Sequence, residues 1–122
     1  MGNVNESLEE LMKIDGAVAV SLVDIQSGMS LGSLGDGAGG IKLDVAAAGN
    51  SEVIKAKLKV MANLGIRGHI EDILITLDTQ YHLIRPLAKE KGLFVYLVVS
   101  KAQANLAMTR HKLASLESNL EV

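Results

Sequence analysis

The chain has 122 residues, near the usual size of one domain and enough to form one hydrophobic core. Twelve basic and fourteen acidic residues give a net charge of −2, which offers no electrostatic footprint for nucleic acid and no basic cluster for an anionic membrane. Cysteine is absent, which excludes disulfides and cysteine-ligated metal sites, and no apolar run approaches the ~18 residues of a membrane span.

The first predicted elements are a short helix and a strand hairpin. Apolar residues recur at helical spacing over residues 4–12, and the preceding residues lack the pattern of a signal peptide, so we expect a cytoplasmic protein. Residues 17–23 alternate between larger apolar and small side chains, which predicts a strand with a helix close against its small-residue face. Asp24–Gly28 reads as a turn into a short second strand that ends at Leu31.

A glycine-rich segment and a long helix follow. Residues 32–40 hold five glycines in nine positions and predict a flexible loop. The run from Gly35 to Gly40 matches the pattern G-x-G-x-x-G. A dinucleotide site, however, needs a buried parallel strand before that pattern, and Asp36 adds a negative charge where a pyrophosphate would bind. We therefore favour a loop over a nucleotide site. Residues 43–64 form the predicted helix, which Gly65 ends.

Three strands and a final helix complete the chain. The strand-like runs 70–77, 81–87 and 93–99 are joined by connections too short for crossovers, so the strands should be antiparallel. Ser100 with Gln103 resembles a capping box that opens the last helix. The order α-β-β-α-β-β-β-α predicts a single α+β domain over residues 1–122, with a five-stranded, mainly antiparallel sheet flanked by helices.

The sequence contains no recognisable catalytic or metal-binding constellation. His69, His82 and His111 are scattered, without the spacing that places ligands on one helix face. Asp72 and Asp78 would lie in one strand about 20 Å apart, too far for a pair of catalytic carboxylates. We therefore expect no enzyme activity, no cofactor and no metal.

The long helix carries more apolar surface than one sheet can cover. Its apolar residues sweep an arc of about 200°, roughly twice what packing on a sheet requires. Asn50 and Lys57 divide this arc into two groups. One group is expected to pack on the sheet of its own chain: Val53, Ala56, Val60 and Leu64. The other group is left to face a different surface: Ile54, Leu58 and Met61.

A second copy of the chain would cover that surface. The strand 70–77 is rich in aliphatic residues, and an exposed edge of this kind invites pairing with another chain. A two-fold partner would cover helix and strand together, whereas a wide groove between two helices of one chain is the alternative. The predicted dimer interface consists of Ile54, Lys57, Leu58, Met61, Ile73 and Ile75.

Several segments together resemble Roadblock / dynein light chain domains, and the resemblance covers nearly the whole chain. They are the run Ile14-Asp-Gly16-Ala-Val-Ala-Val with Asp24, Ser27-Gly28 and Met29, then Glu71-Asp-Ile-Leu-Ile-Thr-Leu77, Gln80-Tyr-His-Leu-Ile-Arg-Pro86, Leu93-Phe-Val-Tyr-Leu-Val-Val99 and Asn105-Leu-Ala-Met-Thr-Arg-His-Lys-Leu113. Each segment is a hydrophobic pattern and none is a catalytic signature.

The resemblance implies a profilin-like fold and a non-catalytic role. Such domains dimerise through the long helix and the third strand, and they serve as scaffolds or regulators of small Ras-like GTPases or as dynein-associated subunits. The glycine loop and the helix start Ala46-Ala-Ala-Gly-Asn50 are more similar to a prokaryotic stand-alone member. We expect a cytoplasmic homodimer that binds a Ras-like GTPase. The alternative is a small-molecule-sensing domain with the glycine loop as its lid.

Overall fold

A computed structural model describes residues 2–35, 42–90 and 92–120. The elements in chain order are α1 (Gly2–Met12), β1 (Ala17–Asp24), β2 (Ser30–Leu34), α2 (Leu43–Leu64), β3 (Ile73–Thr76), β4 (Gln80–Pro86), β5 (Leu93–Ser100) and α3 (Leu106–Asn119). The predicted order α-β-β-α-β-β-β-α and the α+β fold class are confirmed.

The five strands form one sheet in the order β2-β1-β5-β4-β3, and every pair of neighbours is antiparallel. On one face, α1 and α3 cover a core that includes Leu8, Leu22, Leu83, Leu97 and Leu113. On the other face, α2 covers a second core that includes Ala19, Ala47, Ile54, Phe94 and Tyr96. The central strand β5 contributes to both cores, because successive side chains of a strand point to opposite faces.

The small-residue face of β1 lies under α2, as the sequence predicts. Ala19 and Ser21 are completely buried on this side. The turn before β2 also approaches the helix closely, because a Cβ atom added at Gly28 would lie 3.2 Å from the Cα atom of Ala48. Gly28 has φ of +76°, a conformation that side chains disfavour, so glycine serves both the turn and the contact. These close approaches fix the first half of α2 on the sheet.

Two strands differ in length from the prediction. β2 continues into the glycine-rich segment to Leu34, because the hydroxyl of Ser21 on β1 hydrogen-bonds to those of Ser30 and Ser33 on β2, at 2.9 and 3.0 Å. The rest of the predicted loop, residues 36–40, lies outside the described residues. β3 begins only at Ile73, since the carboxylate of Asp72 turns away to accept two hydrogen bonds from Arg110 of α3, at 2.8 and 3.0 Å.

The last helix begins later than the sequence indicates, so the capping box at Ser100 is wrong. Ser100 ends β5, and its backbone N–H donates to the carbonyl of Gly16 at 2.8 Å. The helix is capped by Asn105, whose side-chain oxygen accepts a hydrogen bond from the backbone N–H of Met108 at 3.1 Å. Asparagine at this position satisfies an N–H group that has no partner within the helix.

Replacing Asn105 with alanine is expected to lower the free energy of unfolding by about 1 kcal/mol, because the N–H group of Met108 loses its acceptor. Ser100→Ala is the matched control and should change that free energy by less than about 0.5 kcal/mol. Urea denaturation followed by circular dichroism measures both. A larger loss for Ser100→Ala than for Asn105→Ala would contradict the capping assignment.

Candidate functional site

The second half of α2 extends away from its own sheet. The buried residues of the helix are Leu43, Ala47, Ser51 and Ile54, and among the described residues of α2 none beyond Ile54 is buried. Residues 55–64 therefore project over a length of about 15 Å at the rise of an α-helix. The helix ends at Gly65, which adopts φ of +71° and donates to the carbonyls of the last turn.

One flank of α2 presents a continuous row of side chains, here called the α2 seam: Asn50, Val53, Lys57, Val60 and Leu64. Their alternating spacing of three and four residues is the pattern of a helix that packs against another helix. Val53, Val60 and Leu64 are 39%, 45% and 66% exposed, so the apolar part of this seam is largely uncovered by its own chain. Uncovered aliphatic residues in a row are typical of a protein interface.

The two apolar groups of α2 are not divided as predicted. Ile54, expected to face outward, is completely buried in the core of its own chain. Val53, Val60 and Leu64, expected to pack on the home sheet, are exposed. The reason is that the helix turns Ala47 and Ile54 toward the small residues of β1, which rotates the α2 seam to the side. The expected packing of Val53, Val60 and Leu64 is therefore wrong.

The other residues of the predicted interface lie on α2 and β3, and not all of them belong to the α2 seam. Lys57 belongs to the α2 seam and is exposed. Leu58 is 44% exposed and Met61 is half-buried. Ile73 and Ile75 are half-buried on β3, on the same face of the sheet as α2. Which of these residues contact a partner stays a prediction.

The sheet has two ends with different properties. β3 pairs with β4 in unbroken register from Ile73 to Thr76, and no strand among the described residues covers its outer side. β2, at the opposite end, has an irregular register against β1, where Leu31 is an extra residue between the paired Ser30 and Gly32. Bulges of this kind protect an edge from pairing, so β3 is the better edge for strand addition.

A hydrogen-bonded polar cluster lies on the α2 face next to β3. His82 of β4 is half-buried and stands directly opposite Ile75. Its Nε2 atom is 3.0 Å from Oε1 of Gln80, and its Nδ1 atom is 3.0 Å from the hydroxyl of Tyr96. Asn50 of the α2 seam lies close enough to the hydroxyl of Tyr96 to lower its pKa. The cluster therefore joins the α2 seam to the strands beside it.

The electrostatics of the cluster favour uncharged groups. Burial lowers the pKa of His82 below its ordinary value of 6.5, because a buried charge is costly. Burial also raises the pKa of Tyr96, and the proximity of Asn50 opposes that change. The amide atom of Gln80 that faces the ring is Oε1, which accepts, so the hydrogen is assigned to Nε2 of His82. The neutral ring then accepts from Tyr96 at Nδ1.

An open cleft of about 510 Å³ lies beneath the projecting end of α2. Its lining is mainly aliphatic and includes Ile25, Leu58, Ile70, Pro86 and Leu93, with His69 near them. The volume lies within the range of small-molecule sites, but few polar groups converge there to orient a ligand. Within residues 2–35, 42–90 and 92–120, no three histidine or acidic side chains are placed to hold a metal ion.

None of the helices in the described part of the chain has the length and apolarity needed to cross a bilayer. Sequence reasoning found the uncovered helix, together with Lys57 and Leu58, but it placed the exposed Val53, Val60 and Leu64 on the home sheet. The signal was present in Asn50 and Lys57, two polar residues one heptad apart within an apolar arc. The cluster at His82 had no such signal, because the contact between His82 and Tyr96 depends on the register of β4 and β5.

Comparisons with known proteins identify the fold. No family model and no curated protein matches the sequence. Among solved structures, MglB of Myxococcus xanthus superposes with a TM-score of 0.84 at 14% identity, covering 96% of this chain and 84% of that chain. A Roadblock/LC7 domain from Streptomyces avermitilis gives 0.78 at 14% identity, covering 93% of this chain and 91% of the other.

A third solved structure, the gliding protein MglB of Thermus thermophilus, gives a TM-score of 0.73 at 17% identity and covers 97% of this chain and 90% of that one. At such low identities the likeness concerns the backbone. The chain has the fold of Roadblock/LC7 domains, as the sequence resemblance implies.

Proposed function

We propose that this chain is a cytoplasmic, non-catalytic module that forms a homodimer and binds a small Ras-like GTPase. The observation that carries the proposal is that the α2 seam and the β3 edge are both uncovered and lie on the same side of the molecule. A chain that leaves an aliphatic helix flank and a regular strand edge open together is built for a partner that covers both.

The α2 seam supports a second copy of the same helix as its partner. Val53, Val60 and Leu64 provide aliphatic side chains at alternating spacing, which interlock when two such helices lie side by side. Asn50 and Lys57 occupy the intervening positions. Polar residues in a seam reduce its stability but specify one register, because a shifted partner would bury them against aliphatic groups.

The β3 edge supports the same geometry. When β3 pairs with its own copy in antiparallel fashion, the two-fold axis is perpendicular to the sheet and the two α2 helices come to the same face. Ile73 and Ile75, half-buried in the single chain, then lie beside the joined helices. The resulting interface uses Lys57, Leu58, Met61, Ile73 and Ile75, and the buried Ile54 supports it from beneath.

The GTPase partner is supported by the resemblance of the sequence to Roadblock domains together with the Roadblock/LC7 fold. A module without catalytic residues acts on such a partner by contact alone. It can hold one nucleotide state of the GTPase by binding that state more tightly, and the size of the effect equals the difference between the two affinities.

The test is calorimetric titration of this protein with purified Ras-like GTPases from the same cell, each loaded with GDP or with a non-hydrolysable GTP analogue. We expect at least one GTPase to bind, with an affinity that depends on the nucleotide. GTP without a GTPase should leave the thermal unfolding of this chain unchanged. If no GTPase binds in either state, and a nucleotide alone stabilises the chain, the protein is a small-molecule sensor and the proposal is wrong.

A further inference from the structure

We propose that the proton on His82 controls self-association: the dimer holds the ring neutral, and protonation drives the two copies apart. This inference rests on the homodimer of the proposed function and adds its regulation. It starts from the position of the polar cluster. His82 stands opposite Ile75 on the edge strand and is linked through Tyr96 to Asn50 of the α2 seam.

The hydrogen bonds of the cluster distinguish the two protonation states. In the neutral state, Nε2 of His82 donates to Gln80, Nδ1 accepts from the hydroxyl of Tyr96, and the hydroxyl oxygen is free to accept from Asn50. A proton on Nδ1 places two donors face to face. The hydroxyl hydrogen of Tyr96 must then turn away from the ring, which alters the interaction of this hydroxyl with Asn50. The change is thereby felt at the α2 seam.

Among the described residues, the surroundings of His82 offer no negative charge to stabilise the protonated ring. The groups around it are Ile75 on β3, Val98 and Tyr96 on β5, and Asn50 on α2. Lys57, one heptad beyond Asn50, is the one charged residue of the α2 seam, and its charge is also positive. A second copy that covers this face removes water from the ring, which adds to the cost of a positive charge.

The direction of the effect follows from linkage. Because burial already lowers the pKa of His82 in the single chain, further burial in the dimer lowers it more, so dissociation takes up protons. Association has its full strength above the pKa of His82 in the separate chain, which already lies below 6.5, and it weakens as the pH falls from there through the still lower value in the dimer. Each dimer contains two copies of His82, so the effect counts twice.

The experiment measures the dissociation constant of the dimer by sedimentation at about pH 7.5 and about pH 5.5. The wild-type constant should rise at least about tenfold over these two pH units, which corresponds to an average uptake of about half a proton by each dissociating dimer. His82→Gln, which has no titrating ring, should associate with a constant that does not depend on pH. His111→Gln, on α3 at the other face of the sheet, is the matched control and should behave as the wild type.

A second measurement does not depend on any variant. The NMR titration of the His82 ring should give a lower pKa in concentrated, dimeric protein than in dilute protein, because the coupling between proton and partner is reciprocal. Equal values, or an unchanged pH dependence in His82→Gln, would overturn the role of His82 while leaving the dimer intact. Absence of a dimer at either pH would overturn the proposed interface, and this inference with it.

Discussion

Val60→Asp is expected to abolish self-association while leaving the single chain folded. Val60 is 45% exposed and lies in the middle of the α2 seam, beyond the part of α2 that packs on the sheet. In the proposed dimer a carboxylate at this position would be buried against aliphatic groups of the partner. Burying one unpaired charge costs roughly 3 kcal/mol, and two-fold symmetry doubles it, so the dissociation constant should rise by at least about 100-fold.

Lys59→Asp is the matched control for this variant. Lys59 precedes Val60 on α2 and is also exposed, but its side chain points about 100° away from both Val60 and Leu58, to the side of α2 that faces neither the α2 seam nor the sheet. Sedimentation equilibrium should therefore find this variant as dimeric as the wild type. If Val60→Asp sediments like its parent, or if both variants become monomeric, the α2 seam is not the self-association surface.

Glu117→Ala is expected to destabilise the fold by about 3 kcal/mol, the largest effect we predict for a charged residue. Its carboxylate accepts from Nε of Arg85 at 2.9 Å and from the backbone N–H of Ala88 at 3.0 Å. Both side chains of the ion pair are largely buried. Removing the carboxylate leaves the guanidinium of Arg85 buried without its partner and frees α3 from the hairpin between β4 and β5.

Chemical denaturation measures this loss, and two comparisons show its origin. Glu10→Ala removes an exposed ion pair with Lys13 and should leave the midpoint of unfolding unchanged, because water replaces the lost contact. The double variant Arg85→Met/Glu117→Leu removes both buried charges and should be more stable than Glu117→Ala alone. A double variant less stable than Glu117→Ala would show that the loss comes from packing of α3 and not from the unpaired charge.

The fold was predictable because each element carries a local signal. The alternation over residues 17–23 requires a strand, the short connections between the last three strands require antiparallel pairing, and Gly65 ends the long helix at the predicted residue. Each of these signals depends only on residues that are close together in the sequence, so it can be recognised before the tertiary structure is known.

The start of α3 was not predictable in the same way. Ser100 and Gln103 have the composition of a capping box, but the backbone of Ser100 is held in the sheet by Gly16, and the helix can begin only after the chain has left β5. A tertiary hydrogen bond here overrides a local preference. The same holds for β3, which Asp72 shortens through its contact with Arg110 on a distant helix.

The exposure of α2 was predictable in kind but not in detail. An apolar arc of about 200° indicates that the sheet cannot cover all of the apolar surface of α2, but it does not indicate which part of the arc faces the sheet. The small residues on β1 determine which part faces the sheet. Ala19 and Ser21 leave room above the strand, and Ala47 and Ile54 of α2 pack there. The rotation of a helix about its own axis thus depends on a strand far away in the sequence.

Because of the bulge at Leu31, the two end strands of the sheet differ in how readily they can pair with a strand of another chain. The end at β2 is irregular, whereas the end at β3 is regular. A molecule with one regular edge strand can pair with one further strand. A two-fold contact through that strand covers the regular edge of both copies. In the proposed dimer, strand addition would therefore end at two copies instead of propagating into a fibre.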